Sequence, residues 1–93
     1  MIRRVVVTRR AEKQARRLPV HVGEKLWHWV YLVMDIGLEE VRKIPGFHDE
    51  PLVGRWRGMR SIRLSRAHRA VYRLVREGDD EIVSIEEVSK HGY

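Results

Sequence analysis

The chain has 93 residues, of which 43% are hydrophobic and 34% are charged, and its formal net charge is +6. This length suits one domain with a modest core, so we predict a single domain over residues 1–93. The hydrophobic fraction argues against a disordered chain. Because the chain has no cysteine, disulfide bonds, a thiolate nucleophile and a cysteine-based zinc site are excluded.

The charge balance and the absence of long apolar runs indicate the kind of partner. An excess of Lys and Arg favours polyanions, and nucleic acid is the first candidate. No stretch approaches the roughly 18 apolar residues of a membrane span, and the first residues lack the apolar core of a signal peptide. We therefore expect a cytoplasmic protein that does not contact a membrane.

A short strand and two helices are predicted for the first part of the chain. Residues 2–7 are rich in β-branched side chains and suit a strand, and Thr8 can cap a helix over residues 9–18. Pro19 breaks that helix and can open a second one from Val20 to Ile36. Apolar residues recur at helical spacing in the second helix and predict a buried face. That face comprises Val22, Leu26, Trp29, Val30 and Val33.

The middle of the chain reads as a helix end followed by a structured loop. Gly37 is typical of a helix stop, and residues 38–44 can add one or two further helical turns before Pro45. Residues 45–58 contain two prolines and three glycines. This composition predicts an ordered loop rather than a helix or a long strand.

Three strands are predicted after the loop, because the period of the pattern changes to two. Residues 60–65 and 68–76 alternate between apolar and polar side chains, and residues 77–80 (EGDD) suit a hairpin turn. Residues 81–88 form the last strand. Its buried face stays open, because Val83 with Ile85 competes against Ile82 with Val88.

The element order β-α-α-β-β-β predicts an α+β domain, a small antiparallel sheet with two helices packed on one face. The apolar strand residues would face the helices, and two arginines, Arg63 and Arg69, would then project from the opposite face. The apolar set comprises Ile62, Leu64, Ala70, Tyr72 and Leu74.

Reactive side chains gather near that opposite face. Besides the two arginines, they are His48, Asp49, Glu50, Arg55, Trp56, Arg57, Arg60, Lys90, His91 and Tyr93. Such a set suits metal-independent cleavage of RNA. A base removes the ribose 2′-OH proton, arginines hold the phosphate oxygens in the transition state, and an acid protonates the leaving 5′-oxygen. Imidazole, with a pKa of about 6.5, can exchange a proton near neutral pH.

Three segments together resemble the RelE/YoeB/HigB superfamily of bacterial toxin ribonucleases: DEPLVG (49–54), SIRLSRAHRAVYRL (61–74) and KHGY (90–93). The resemblance covers essentially the whole chain and implies the RelE-like microbial ribonuclease fold. It implies the toxin of a type II toxin–antitoxin system, an endoribonuclease without metal or cofactor. The expected target is messenger RNA on the ribosome, with contacts to ribosomal RNA, and the expected inhibitor is a cognate antitoxin protein.

The resemblance also assigns roles to individual residues. Glu50 matches the proposed general base of the YoeB-like branch, and Arg69 matches the arginine that stabilises the transition-state phosphate. Arg63 matches a second phosphate-binding arginine. His91 matches the general acid, and Tyr93 matches the tyrosine that orients phosphate or base.

The terminal motif departs from the family pattern. In the YoeB branch the His and Tyr are adjacent, whereas Gly92 separates His91 from Tyr93 here, which puts both on one side of an extended chain. The RelE-like branch uses lysines and arginines without a carboxylate base, so basic residues can share the catalytic role in this chain. The expected RNA-binding residues are Arg55, Trp56, Arg57, Arg60 and Lys90.

Plainer explanations exist for the same residues. The last residues can be a frayed end, Arg63 and Arg69 can simply solvate an exposed sheet face, and Trp56 packs as readily as it stacks on a base. The cluster of residues 48–50 has the wrong spacing for a zinc site, so no metal is expected. The alternative function is a non-catalytic, toxin-like module that binds RNA or an antitoxin, with salt-sensitive binding and no product.

Overall fold

The computed structural model describes residues 1–90, which form three α-helices and a five-stranded sheet. The helices are α1 (Arg9–Ala15), α2 (Val20–Ile36) and α3 (Leu38–Val41). The strands are β1 (Arg4–Val7), β2 (Glu50–Pro51), β3 (Arg60–Arg63), β4 (Arg69–Glu77) and β5 (Asp80–Ser89). One-turn 3₁₀ helices at Pro45–Phe47 and Gly54–Trp56 flank β2, so the predicted structured loop is confirmed.

The helix boundaries follow the local signals in the sequence. The Thr8 hydroxyl accepts a hydrogen bond from the Ala11 N–H at 3.1 Å, which is the expected N-cap. Helix α1 ends at Ala15, earlier than predicted, and a turn leads to Pro19. Helix α2 has the predicted limits. Gly37 follows it with a φ of +90°, a conformation that favours glycine and redirects the chain into α3.

The sheet is mixed rather than antiparallel, with the strand order β1-β5-β4-β3-β2. Strands β2, β3, β4 and β5 pair antiparallel, but β1 runs parallel to β5. The sequence expectation of an antiparallel sheet is corrected on this point. The strands β1 and β5 are far apart in the chain, so no tight turn imposes an antiparallel direction on them.

The helices pack on one face of the sheet, as predicted. Val22, Leu26, Trp29 and Val33 of α2 are fully buried against the strands. The Trp29 ring lies 5.1 Å from the Tyr72 ring, centroid to centroid, in a tilted arrangement. Along residues 1–90, no helix is both long and apolar enough to cross a membrane.

A β-bulge in β5 explains why its buried face could not be read from the sequence. Tyr72 pairs with Ile85, but its neighbour Val71 pairs with Glu87, so Glu86 is an extra residue in β5. The bulge changes the alternation of side chains. Ile85 and Val88 therefore both belong to the core under the helices, although they are three residues apart.

Candidate active site

Four polar side chains meet on the sheet face opposite the helices, which we call the open face. Arg63 and Arg69 are direct partners across β3 and β4, and Glu50 of β2 is the partner of Ser61 in β3. Side chains alternate along a strand, and the neighbours Ile62 and Ala70 belong to the core. The four polar residues therefore share the open face, as predicted for the two arginines.

Arg69 is the centre of this group. Its Nη1 lies 3.3 Å from Oε1 of Glu50 and donates to Oγ of Ser61 at 3.2 Å. The Arg69 side chain is only 21% exposed, whereas that of Glu50 is 57% exposed. Because both contacts use Nη1, the other N–H donors of the guanidinium remain suited to a phosphate. The arrangement offers a fixed cation beside an accessible carboxylate.

Ser61 is a site residue that the sequence reasoning did not single out. It is completely buried and receives the hydrogen bond from Arg69. Its signal in the sequence was positional, because alternation placed it on the same face as Arg63. A buried serine next to a cation in a sheet acts here as an acceptor that orients the guanidinium.

Behind the open face, a buried carboxylate anchors the segment before β2. The side chain of Asp49 is 0% exposed and accepts hydrogen bonds from Arg60 Nε at 2.6 Å and from the Tyr72 hydroxyl at 2.5 Å. The Tyr72 oxygen in turn accepts from Arg42 Nε at 3.3 Å. These four residues, Arg42, Asp49, Arg60 and Tyr72, are called the Asp49 network below.

The network changes the acid–base properties of its members. Burial is the main cause that raises the pKa of Tyr72 well above its ordinary value of 10.0, and the hydrogen bond to Asp49 raises it further. Burial lowers the pKa of Arg60, but its hydrogen bond and ion pair with Asp49 outweigh burial, so the pKa of Arg60 lies above its ordinary value. The raised pKa values favour the protonated phenol of Tyr72 and the charged guanidinium of Arg60, the forms that donate to the Asp49 carboxylate.

The arginines predicted to bind RNA divide into two groups. Arg60 is engaged by Asp49, which makes it part of the framework of the loop. Arg55 and Arg57 are exposed around the second 3₁₀ helix. The Arg55 guanidinium carbon lies 6.0 Å from the ring centre of half-buried Trp56. Trp56 lines a cleft of about 250 Å³ together with Glu50, Pro51, Leu52 and Val53, so an aromatic surface adjoins the candidate base.

The end of β5 lies next to the two arginines. Ser89 is the partner of Arg69, and the exposed Lys90 follows it directly. The His68 imidazole is near the end of β5, where its Nδ1 lies 2.8 Å from the Ser65 hydroxyl. His68 and Lys90 line a cleft together with Gln14 of α1. The predicted residues His91 and Tyr93 lie outside the described residues.

The absence of a metal is an expectation from the sequence and stays a prediction. Among residues 1–90, no group of three or more His, Asp or Glu side chains is placed to hold a metal ion. Asp49 and Glu50 are adjacent but contact different partners. The site as described is therefore a carboxylate, a hydroxyl and two guanidinium groups.

The fold is shared with several solved toxin structures. A YoeB/ParE toxin from Agrobacterium tumefaciens is 21% identical and superposes with a TM-score of 0.72 over 96% of this chain and 99% of that chain. YafQ from E. coli strain BL21(DE3) is 20% identical, with a TM-score of 0.67 over 95% of this chain and 92% of that chain. The archaeal RelE-RelB complex from Pyrococcus horikoshii OT3 is 17% identical, with a TM-score of 0.67 over 99% of this chain and 98% of that chain. No protein-family model and no curated protein sequence matches the chain. At these identities the similarity establishes the fold.

Proposed function

We propose that this chain is the toxin of a type II toxin–antitoxin system and acts as a metal-independent endoribonuclease on messenger RNA. The observation that carries the proposal is the placement of Arg69 between Glu50 and Ser61 on the open face. The fold shared with YoeB/ParE, YafQ and RelE proteins supports it. The motif resemblance to the ribonucleases of that superfamily supports the same assignment.

In the proposed reaction, each residue has the role that the family resemblance assigns to it. Glu50 takes the proton of a ribose 2′-OH, and the 2′-oxygen forms a bond to the adjacent phosphorus as the bond from phosphorus to the 5′-oxygen breaks. Arg69 and Arg63 bind the non-bridging oxygens, on which negative charge increases in the transition state. His91 supplies the proton to the 5′-oxygen, with Tyr93 orienting the phosphate. The products are a 2′,3′-cyclic phosphate and a 5′-hydroxyl.

The proposed partners follow from the same comparison and from charge. The RelE of Pyrococcus horikoshii was solved as a complex with RelB, and RelBE2 of Mycobacterium tuberculosis was solved as a toxin–antitoxin complex. We propose that this chain is likewise inhibited by a cognate antitoxin. Its net charge of +6 favours binding to the RNA of the ribosome, where the message is translated in the cytoplasm.

A paired induction experiment tests the proposal. Wild type, Arg69→Ala and a chain truncated after Lys90 are expressed in a bacterial host, growth is followed, and primer extension on a translated message detects new ends. We expect growth arrest and new ends for wild type, and neither for the two variants. Arg76→Ala, at the other end of β4, is the control and should behave as wild type, and thermal melts establish that each purified variant is folded.

The outcomes separate the two function classes. Arrest and cleavage by wild type that Arg69→Ala retains would contradict the assigned site. Cleavage by the truncated chain would move the acid away from His91. No arrest and no cleavage by wild type would contradict the proposed activity and would leave the non-catalytic binding module, which salt-sensitive RNA binding without product would then identify.

A further inference from the structure

The strand that carries Glu50 is held only weakly by its own backbone. Strand β2 has two residues and lies at the edge of the sheet, where β3 is its one partner strand among residues 1–90. A backbone hydrogen bond, from the Leu52 N–H to the Met59 carbonyl at 2.9 Å, follows this short pairing. Its second residue, Pro51, has no N–H to donate to the ladder. Backbone pairing of this kind does little to prevent β2 from shifting along β3.

The conformation before β2 also needs an external constraint. His48 adopts a left-handed conformation, with φ 46° and ψ 52°. A residue other than glycine adopts it at a cost of order 1–3 kcal/mol, and it persists where surrounding contacts enforce it. His48 itself donates its N–H to the Pro45 carbonyl at 3.0 Å, and the side-chain contacts that follow it in the chain are those of Asp49.

Asp49 makes contacts strong enough to provide that constraint. A buried carboxylate is destabilising unless hydrogen bonds and a cation compensate it. Asp49 has both, because each of its two oxygens has its own donor: Arg60 binds Oδ1 and the Tyr72 hydroxyl binds Oδ2. Tyr72 is itself fixed by packing on Trp29 in the core. The carboxylate therefore connects the loop to a rigid part of the fold.

The directions of the two adjacent carboxylates link this constraint to the open face. Asp49 points to the helix side of the sheet, where Tyr72 lies, whereas Glu50 points to the open face and contacts Arg69. Shifting the pairing of β2 by one residue would exchange the two faces. Holding Asp49 in place thus decides where the Glu50 carboxylate lies.

We propose that Asp49 is a positioning residue: through Tyr72 and Arg60 it fixes the register of β2 on β3 and holds the Glu50 carboxylate beside Arg69. This inference rests on the proposed function, in which Glu50 is the general base. Asp49 is buried behind the sheet, so its contribution acts through Glu50 and not through contact with RNA. Its loss should slow the chemical step and leave the affinity for RNA unchanged, since misplacing a reacting group by about 1 Å can cost on the order of a hundredfold in rate.

A double-mutant cycle tests the inference. Single-turnover cleavage of message on programmed ribosomes is measured against enzyme concentration for wild type, Asp49→Asn, Glu50→Gln and the double variant. Tyr72→Phe is a second probe, because it leaves the Asp49 charge and removes one of its donors. Val33→Ala, a core change in α2 remote from the loop, is the control for destabilisation alone, and melting temperatures are recorded for all variants.

We expect Asp49→Asn to lower the maximal rate at least tenfold with the half-saturating concentration unchanged, and Tyr72→Phe to lower it in the same direction. In the Glu50→Gln background, Asp49→Asn should cause no further loss, because its effect passes through Glu50. Three results would overturn the inference while leaving the proposed function intact. The losses from Asp49→Asn and Glu50→Gln could multiply in the double variant, or Asp49→Asn could change only the half-saturating concentration. The third result is a loss of rate from Val33→Ala equal to that from Asp49→Asn. A wild-type rate for Glu50→Gln would overturn the inference and the base assignment, and no cleavage by wild type would overturn the proposed function itself.

Discussion

Glu50 and Arg69 contact each other across an intervening strand: Oε1 of Glu50 on β2 lies 3.3 Å from Nη1 of Arg69 on β4, with Ser61 of β3 between them. The candidate base is thus paired with the candidate phosphate-binding cation. A phosphate that binds the other N–H donors of Arg69 adds negative charge beside Glu50 and weakens its ion pair with the guanidinium. Under the proposed mechanism, binding of substrate releases the carboxylate that must accept the 2′-OH proton.

Replacing Arg69 by lysine should abolish most of the activity although the charge is kept. Lysine cannot reproduce the planar fork with which arginine binds two oxygens, and loss of one such transition-state donor typically costs roughly 10²–10³ in rate. Single-turnover cleavage assays with Arg69→Lys and with Arg76→Lys as control would measure this. A rate for Arg69→Lys within a few-fold of wild type would show that only the positive charge is needed.

Arg63 is expected to contribute to RNA binding through phosphate contact. For single-stranded RNA, each phosphate contact contributes about 0.7 to the slope of log affinity against log salt concentration. Titration of a non-cleavable RNA at several salt concentrations should give a slope smaller by about that amount for Arg63→Ala. The Arg76→Ala variant should keep the wild-type slope. An unchanged slope for Arg63→Ala would place Arg63 away from the bound phosphates.

The protein should lose stability in alkali through Tyr72. Its pKa is raised in the folded state, so folding favours the protonated phenol. The contribution is fully present below the unfolded-state pKa of about 10 and is lost as the pH rises above that value toward the folded-state pKa. Urea unfolding between pH 8 and about 11.5 should show a steeper decline for wild type than for Tyr72→Phe.

At neutral pH the same variant should be less stable than wild type, because the Asp49 carboxylate loses a donor in a buried place, at about 1–3 kcal/mol. A Tyr31→Phe variant, which changes an exposed tyrosine outside the Asp49 network, is the matched control. Equal pH slopes for wild type and Tyr72→Phe would show that the phenol titrates alike in both states.

Thr8 should stabilise the packing of α1 on the sheet. Its hydroxyl accepts from the Ala11 N–H and lies 3.3 Å from the carbonyl oxygen of Glu86 in the bulge. Thr8→Ala should lower the free energy of unfolding by about 0.5–2 kcal/mol, the usual range for an N-cap. Thr8→Ser keeps the hydroxyl and should recover most of the loss in urea unfolding. Equal losses for both variants would point to the methyl group instead of the cap.

The sequence predicted the parts of the fold that depend on local pattern. The limits of α2 followed from the helical spacing of Val22, Leu26 and Val33, with Pro19 and Gly37 at its ends. The open face followed from alternation around Arg63 and Arg69. Such features are specified by neighbouring residues, so they can be read without knowledge of the rest of the chain.

Several features that sequence reasoning missed depend on contacts between segments that are separated in the chain. The direction of β1 depends on its pairing with β5. The bulge at Glu86 shifts the pairing of β5 with β4, and the Glu86 carbonyl contacts Thr8 at the start of α1. Asp49 looked like a loop residue because its partners, Arg60 and Tyr72, come later in the chain. Glu50 and Arg69 were both expected near the open face, but their contact was not predicted, and the roles of His91 and Tyr93 remain predictions.

The pairing of β1 with β5 has a consequence for synthesis of the chain. Arg4 pairs with Ile82, so β1 lacks this partner strand until β5 has left the ribosomal exit tunnel. Ser89, which pairs with Arg69, lies at the end of the same strand, β5. Domains generally fold as units during translation. This sheet cannot be completed before β5 is available, because β5 lies between β1 and β4. Under the proposed function, the nascent chain therefore has no completed active site while β5 is still inside the exit tunnel.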